Sequence, residues 1–269
     1  MTFKATIKRT VALTAAIALC CAGAAMADDT GTLNAQVGFI GLAHFPKGAD
    51  EINPIRFAAI RQASMSLGAQ GGLAWQARNI DMALHQESVF LDQVFDFNQL
   101  LLNHNVLPPV LVESNNNLAL DDNNTLRIDT QSYRIIRSAR FVTAPPNWRD
   151  YLWMRFSRPA LSDRSLLPQS KAEASVWNHY FKEGWVNGTQ QANHIFTANL
   201  NRLKRDLIGM VLYRELLAEH MVSPPYVAKA QLGVTGDATQ LRINDQVLRI
   251  TAQSALQPNP SKWMPVITK

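Results

Sequence analysis

The chain has 269 residues, 47% of them hydrophobic and 17% charged, enough apolar mass for a real core and too little charge for a disordered polyelectrolyte. Lys4, Lys8 and Arg9 supply three of its formal +5 charges, and the +2 left beyond residue 27 does not predict nucleic-acid binding, which needs a concentrated basic face. Arg134, Arg137 and Arg140 lie close together, and alternation along a solvated strand accounts for them.

The three basic residues precede an uncharged run from Val11 to Ala27 that closes on Ala25-Met26-Ala27. That pattern predicts a secretory signal peptide over residues 1–27, hence an exported, periplasmic protein. Cys20 and Cys21 are the only cysteines. Cleavage after Ala27 removes both, which leaves no thiol for a disulfide or for metal binding; lipidation of Cys20 or Cys21 is the alternative, in an imperfect sequence context. Residues 28–50 mix Gly, Thr, Asn and Pro without a period and read as a flexible N-terminal arm. Residues 51–252 read as a single domain, and 253–269, with Pro258, Pro260 and Pro265, as a C-terminal tail that orders on a partner.

Within the domain, Asn53-Pro54 predicts a capped helix start, followed by Ile55, Ala58, Ala59 and Gln62 at helical spacing. Gly68, Gly71 and Gly72 predict an interruption over 66–72, a helix-to-helix connection in which glycine permits tight packing. A second helix then carries Leu73, Ala77, Ile80, Leu84, Leu91 and Phe95, and Pro108-Pro109 stops the helical pattern. From Val110 to Thr143 the period becomes two. A five-residue loop over 121–125 places Leu120 opposite Leu126 and Leu118 opposite Ile128.

A long helical block runs from Lys171 to Met221, with a bend or break expected between Gly184 and Gly188, since each glycine weakens a helix by about 1 kcal/mol. Asn244-Asp245 reads as a two-residue hairpin turn setting Leu241 opposite Leu248. The fold class that follows is α+β, a small antiparallel sheet packed against several helices.

Motifs for chemistry are sparse. The six histidines contain no His-Glu-x-x-His, there is no Gly-x-Ser-x-Gly elbow, and Gly68-Ala-Gln-Gly71-Gly72 lacks the Lys and Ser or Thr of a phosphate loop. These readings predict no catalytic residue, cofactor or metal. Aromatics gather instead around the Pro145-Pro146 turn, where Trp148, Tyr151 and Trp153 suit a core or a subunit interface.

Several phrases resemble one family. Leu67 to Trp75 (LGAQGGLAW), Leu101 to Glu113 (LLNHNVLPPVLVE), Ala139 to Trp153 (ARFVTAPPNWRDYLW), Asn201 to Tyr213 (NRLKRDLIGMVLY) and Ser223 to Ile250 (SPPYVAKAQLGVTGDATQLRINDQVLRI) are similar to DotC of the Dot/Icm type IVB secretion system and its conjugative relatives. The resemblance implies a non-enzymatic subunit of the outer-membrane core complex, ring-forming with DotD-like and DotH-like partners. Outer-membrane association would be direct or through those partners, and the cargo effector proteins or DNA. The segments carrying Gly68, Gly71, Gly72, Trp75, Pro145, Pro146, Trp148, Tyr151 and Trp153 are the candidate interface or structural positions. The alternative is a periplasmic protein, binding or enzymatic, that stacks a glycan or peptide on the aromatic segment.

Overall fold

The structure, a computed structural model, describes residues 52–122, 125–156, 159 and 164–264. The expected signal peptide over 1–27, the expected arm over 28–50, Cys20 and Cys21 lie outside the described residues. In chain order the elements are α1 (Pro54–Gln86), α2 (Ser88–Val94), β1 (Val106–Leu107), β2 (Val110–Asp122), β3 (Thr125–Arg137), β4 (Arg140–Phe141), α3 (Trp148–Leu152), α4 (Lys171–Ala218), β5 (Tyr226–Gly236) and β6 (Leu241–Ala252). Short 3-10 turns punctuate them. The class is α+β, and the strands form three two-stranded antiparallel sheets, β1 with β4, β2 with β3 and β5 with β6.

The described residues divide into two compact units. One holds the residues up to Val94 together with Leu152–Leu200; the other holds Phe95–Tyr151 and the chain from Asn201 onward.

In the first unit, α1 starts where expected: the Asn53 side-chain oxygen accepts from the Ile55 N–H at 2.9 Å and Pro54 fills the first turn. The expected interruption over 66–72 is absent, and α1 runs unbroken for 33 residues. The reason lies in α4. A Cβ on Gly68 or Gly72 would overlap the carbonyl oxygens of Phe181 and Trp185, and one on Gly184 or Gly188 would overlap those of Met65 and Ala69. The pairs rise together along both helices, so α1 and α4 run parallel here and meet backbone to backbone through two Gly-x-x-x-Gly faces.

The expected break at Gly184–Gly188 is therefore also absent. Those glycines are the contact surface of a continuous 48-residue helix. Ile60, Trp177, Phe181 and Trp185 form the core beside this contact, with Leu67 and Trp75 packed against it.

The start of α4 is pinned twice. Ser170 Oγ accepts from the Glu173 N–H at 3.1 Å, while the Glu173 carboxylate accepts from the Gln169 N–H at 2.7 Å, a near relative of the capping box. Arg56 then reaches across from α1, donating to the carbonyls of Ser165 (2.6 Å) and Leu167 (2.9 Å) and to Glu173 (3.1 Å).

In the second unit, Leu111, Tyr213, Leu216 and Val222 form the core, joined by Tyr133, Ile135 and Leu256. Gly209 of α4 again permits close approach, here to the backbone of Leu111. The helix ends in a Schellman motif: His220 takes the left-handed conformation (φ 59°) and donates to Leu217 O, and Met221 donates to Leu216 O. The described part of the tail is held by the chain itself. Gln257 N–H donates to Met221 O, Met264 N–H to Glu219 O, and the Trp263 indole to Gln257 O.

The β2–β3 register agrees with expectation, Leu118 opposite Ile128 and Leu120 opposite Leu126. The loop is shorter than five residues, because Asp122 pairs with Thr125 and residue 121 is the extra member of a bulge. The expected turn at Asn244-Asp245 is absent. Residue 244 lies inside β6, which pairs with β5 around a turn over 237–240. Asn244 does adopt positive φ (59°), but it uses that freedom for a bulge where the register shifts near Gly233. The actual turn is built by Asp237, whose carboxylate accepts from the N–H groups of Thr239 and Gln240.

The glycine contact makes a test of sign. Helix propensity alone predicts that Gly184→Ala stabilises by about 1 kcal/mol, whereas backbone overlap predicts a loss of about 2 kcal/mol or more. Urea denaturation of the two proteins decides, and a stabilised variant would disprove the backbone-to-backbone contact.

Candidate functional site

Two kinds of surface could carry function: the aromatic turn after Pro145-Pro146, and the distal ends of the two long ribbons. The turn is organised by Asn147 and Asp150. Asn147 Oδ1 accepts from the Arg149 N–H at 3.0 Å, and Asp150 Oδ2 accepts from the Asn147 N–H at 2.8 Å. This reciprocal cap starts α3, whose single turn buries Trp148 and Tyr151. The Arg149 guanidinium lies 4.3 Å from the centre of the Trp148 ring, a cation–π contact.

Tyr151 leads to a residue that sequence reasoning missed. Its phenol stacks on Phe97 at 6.0 Å and donates to Asp206 Oδ2 at 3.0 Å. Asp206, fully buried on α4, also receives Arg137 at 2.8 Å on Oδ2 and Arg205 at 3.1 Å on Oδ1. Burial raises the Tyr151 pKa above its usual 10.0, the Asp206 charge and hydrogen bond add to the rise, and Arg137 opposes it. No spacing rule connects Arg137, Tyr151 and Asp206, which stand 69 and 55 residues apart from the carboxylate they share. Such a paired, solvent-shielded carboxylate positions elements; with both lone-pair sets occupied it has no free oxygen to offer a substrate.

The remaining candidates separate. Gly68, Gly71 and Gly72 are buried in α1. Trp75 is half-buried with its ring 5.9 Å from that of Trp185. Pro145 and Pro146 are half-buried, and Trp153 is exposed. The indole N–H groups of Trp177 and Trp185 are buried without an acceptor among the described residues, a cost of about 1–3 kcal/mol each that the packing of these large rings must outweigh. The signal that could have found the helix contact was the matched spacing of four in Gly68–Gly72 and Gly184–Gly188.

Among the described residues, exposed aliphatic side chains gather on the two long ribbons. At the end of β2–β3, Leu118, Leu120, Leu126 and Ile128 share one face and are 53% to 76% exposed. At the end of β5–β6, Val234, Leu241 and Ile243 are 64% to 70% exposed. Clusters of exposed aliphatic side chains at this density mark interaction surfaces. No group of three or more potential metal ligands occurs among the described residues, and no helix there is long and apolar enough to cross a membrane.

The family model described as type IV secretory system, conjugal DNA-protein transfer matches residues 54–265, and the chain belongs to that family. Comparison with curated proteins gives no match. The family membership assigns the chain a role in type IV secretion or conjugation.

Two ionic contacts generate tests. Arg137→Leu leaves Asp206 buried with Arg205 and Tyr151 alone and should cost about 3 kcal/mol, more than Asp206→Asn, which keeps an acceptor and should cost about 1–2 kcal/mol; denaturant midpoints give the order, and the reverse order refutes this view of the network. For Glu173, burial raises the pKa, but hydrogen bonds from Arg56 and the Gln169 N–H and the Arg56 charge prevail and hold it below the ordinary 4.5. A depressed carboxylate stabilises the fold above its unfolded pKa and loses that contribution as pH falls through the folded value. Glu173→Gln should therefore melt below the wild type at pH 7, and the gap should close between pH 4.5 and more acid conditions; a gap independent of pH contradicts it.

Proposed function

We propose that this chain is a structural, non-catalytic subunit of the outer-membrane core complex of a type IVB secretion or conjugation machinery, similar to DotC. It is exported to the periplasm by residues 1–27, and it associates with the outer membrane either through a lipid on Cys20 or Cys21 or through DotD-like and DotH-like partners. It supports passage of effector proteins or DNA without binding nucleic acid itself.

The observation that carries this reading is the pair of solvent-facing aliphatic ribbon ends on a chain of the conjugal transfer family. An isolated two-stranded ribbon is marginal in water, and these are 13 and at least 11 residues long per strand. They make physical sense as surfaces completed by neighbouring subunits. The polypeptide segments that resemble the DotC family include both the Gly68–Trp75 face of α1 and the β5–β6 ribbon, so the resemblance falls on the parts that shape the molecule.

Deleting the gene should abolish conjugal or effector transfer and remove the partner subunits from outer-membrane fractions, and wild-type protein should restore both. Transfer at full efficiency in the deletion strain defeats the proposal. So does purified protein that cleaves peptidoglycan or binds it saturably, the outcome expected of a glycan-handling envelope protein. Within the complex, Trp148→Ala, which empties a buried site beside Tyr151, should reduce assembly measured by co-purification.

A further inference from the structure

The arginines gathered around Asp206 carry more charge than that carboxylate neutralises. Arg137 donates to it through Nη1 alone and Arg205 through Nε and Nη2, so both keep further N–H groups, and their side chains stay 35% and 46% exposed. Arg202, one helical turn before Asp206 on α4, is exposed, and its guanidinium lies 5.4 Å from the centre of the Tyr151 ring. It has no carboxylate partner among the described residues. The Tyr151 ring beneath it is fixed in turn by stacking on Phe97 and by the hydrogen bond to Asp206. All of these residues belong to the second unit. Three guanidinium groups are therefore held around one acid, on side chains whose inner contacts have already removed part of the rotamer freedom that binding would cost.

The flanking sequence enlarges this excess. Residues 147–151 and 201–206 add Arg149 and Lys204 against Asp150 alone, and Asp150 is engaged by the Asn147 N–H. One arginine balances one aspartate; each further arginine brings repulsion that nothing described offsets. The outward N–H groups thus call for an anion. Arginine forks receive carboxylate and phosphate alike, but the rings that these arginines touch, Tyr151 and Trp148, are buried. That leaves neither ring to stack a base, as single-strand binders require, nor to enter a bilayer interface. A carboxylate already fits the inner edge of the cluster, at 2.8 Å from Arg137 and 3.1 Å from Arg205.

We infer that Arg137, Arg202 and Arg205 form a docking site for an acidic peptide segment of a neighbouring subunit, whose carboxylates take the outer edges of the guanidinium groups while Asp206 holds the inner ones. Charge complementarity of this kind selects the partner and its orientation more than it adds raw affinity. The hub then has two jobs: it ties β3 and α3 to α4, and it presents the arginines that tie draws together. This deepens the assembly reading given above and rests on it. Of the three arginines, Arg202 is the one whose replacement leaves every hydrogen bond of Asp206 in place.

The test therefore turns on Arg202→Glu, with Arg202→Lys as the variant that keeps the charge. In cells that hold the whole machinery, Arg202→Glu should lower both transfer and co-purification of partner subunits by about tenfold or more, and Arg202→Lys by less, with the melting temperature of each unchanged. Suppressors that restore transfer to the Arg202→Glu strain should replace an Asp or Glu of a subunit of the machinery with a neutral or basic residue. Purified full-length protein should bind a Glu-rich peptide, more weakly as salt is added, and Arg202→Glu should lose that binding. A Gln-rich peptide of the same length, a single-stranded oligonucleotide and anionic phospholipid vesicles should each bind at least about tenfold more weakly. Full transfer by Arg202→Glu, Glu-rich peptide binding that this variant leaves unchanged, or Arg202-dependent binding of the oligonucleotide or the vesicles above that of the peptide overturns the inference. Those results leave the core-complex reading standing provided that deletion of the gene still abolishes transfer; transfer that survives the deletion sinks the broader reading instead.

Discussion

The parallel contact between α1 and α4 is the constraint on which the helical unit depends. Backbone can meet backbone only where no Cβ intervenes, and four glycines at matched spacing provide that opening. Each glycine lowers helix propensity by about 1 kcal/mol, so both helices are weakened in isolation and need each other. Dispersion between closely apposed backbones and the adjoining cluster of Ile60, Trp177, Phe181 and Trp185 supplies the compensation. The buried Trp177 and Trp185 indoles, with no acceptor among the described residues, fit the same account, since large rings that close the sides of a glycine contact have little room left for a polar partner.

The second unit is held on a different principle. Its core is modest, and a buried carboxylate, Asp206, collects Arg137 from β3, Tyr151 from α3 and Arg205 from α4 itself. An ionic hub of this kind confers little net stability over an apolar core of equal volume, but it demands one arrangement of the strands and helices that reach it. Fixing the base of β3 in this way lets the ribbon project, with its distal aliphatic face in water. A protein that functions by joining others needs that combination of a specified base and an unsatisfied end.

Much of the architecture was legible because it is written in short-range chemistry. Asn53-Pro54 starts α1 through a cap that reaches only two residues along the chain, to the Ile55 N–H. The β2–β3 register was legible for the same reason, as alternation of period two sets the four aliphatics opposite one another across an odd loop and not across an even one. Where reading failed, the local signal was real but ambiguous. Asn244 has the left-handed conformation that a turn residue would have, yet a bulge requires the same φ. Nothing within the neighbouring residues distinguishes the two uses.

From sequence alone came the α+β class, the helix boundaries at their capped ends, the pairing of the first ribbon and the resemblance that directs attention to type IV secretion. The tertiary structure alone decided that Gly68, Gly72, Gly184 and Gly188 join helices instead of breaking them, that Asp206 is the buried hub, and that the aliphatic ribbon faces lie in water. The reason is one of range. Caps and strand alternation draw their energy from neighbours in the chain, whereas a glycine's missing side chain, a buried charge and an uncovered apolar face acquire meaning only from residues more than fifty positions away.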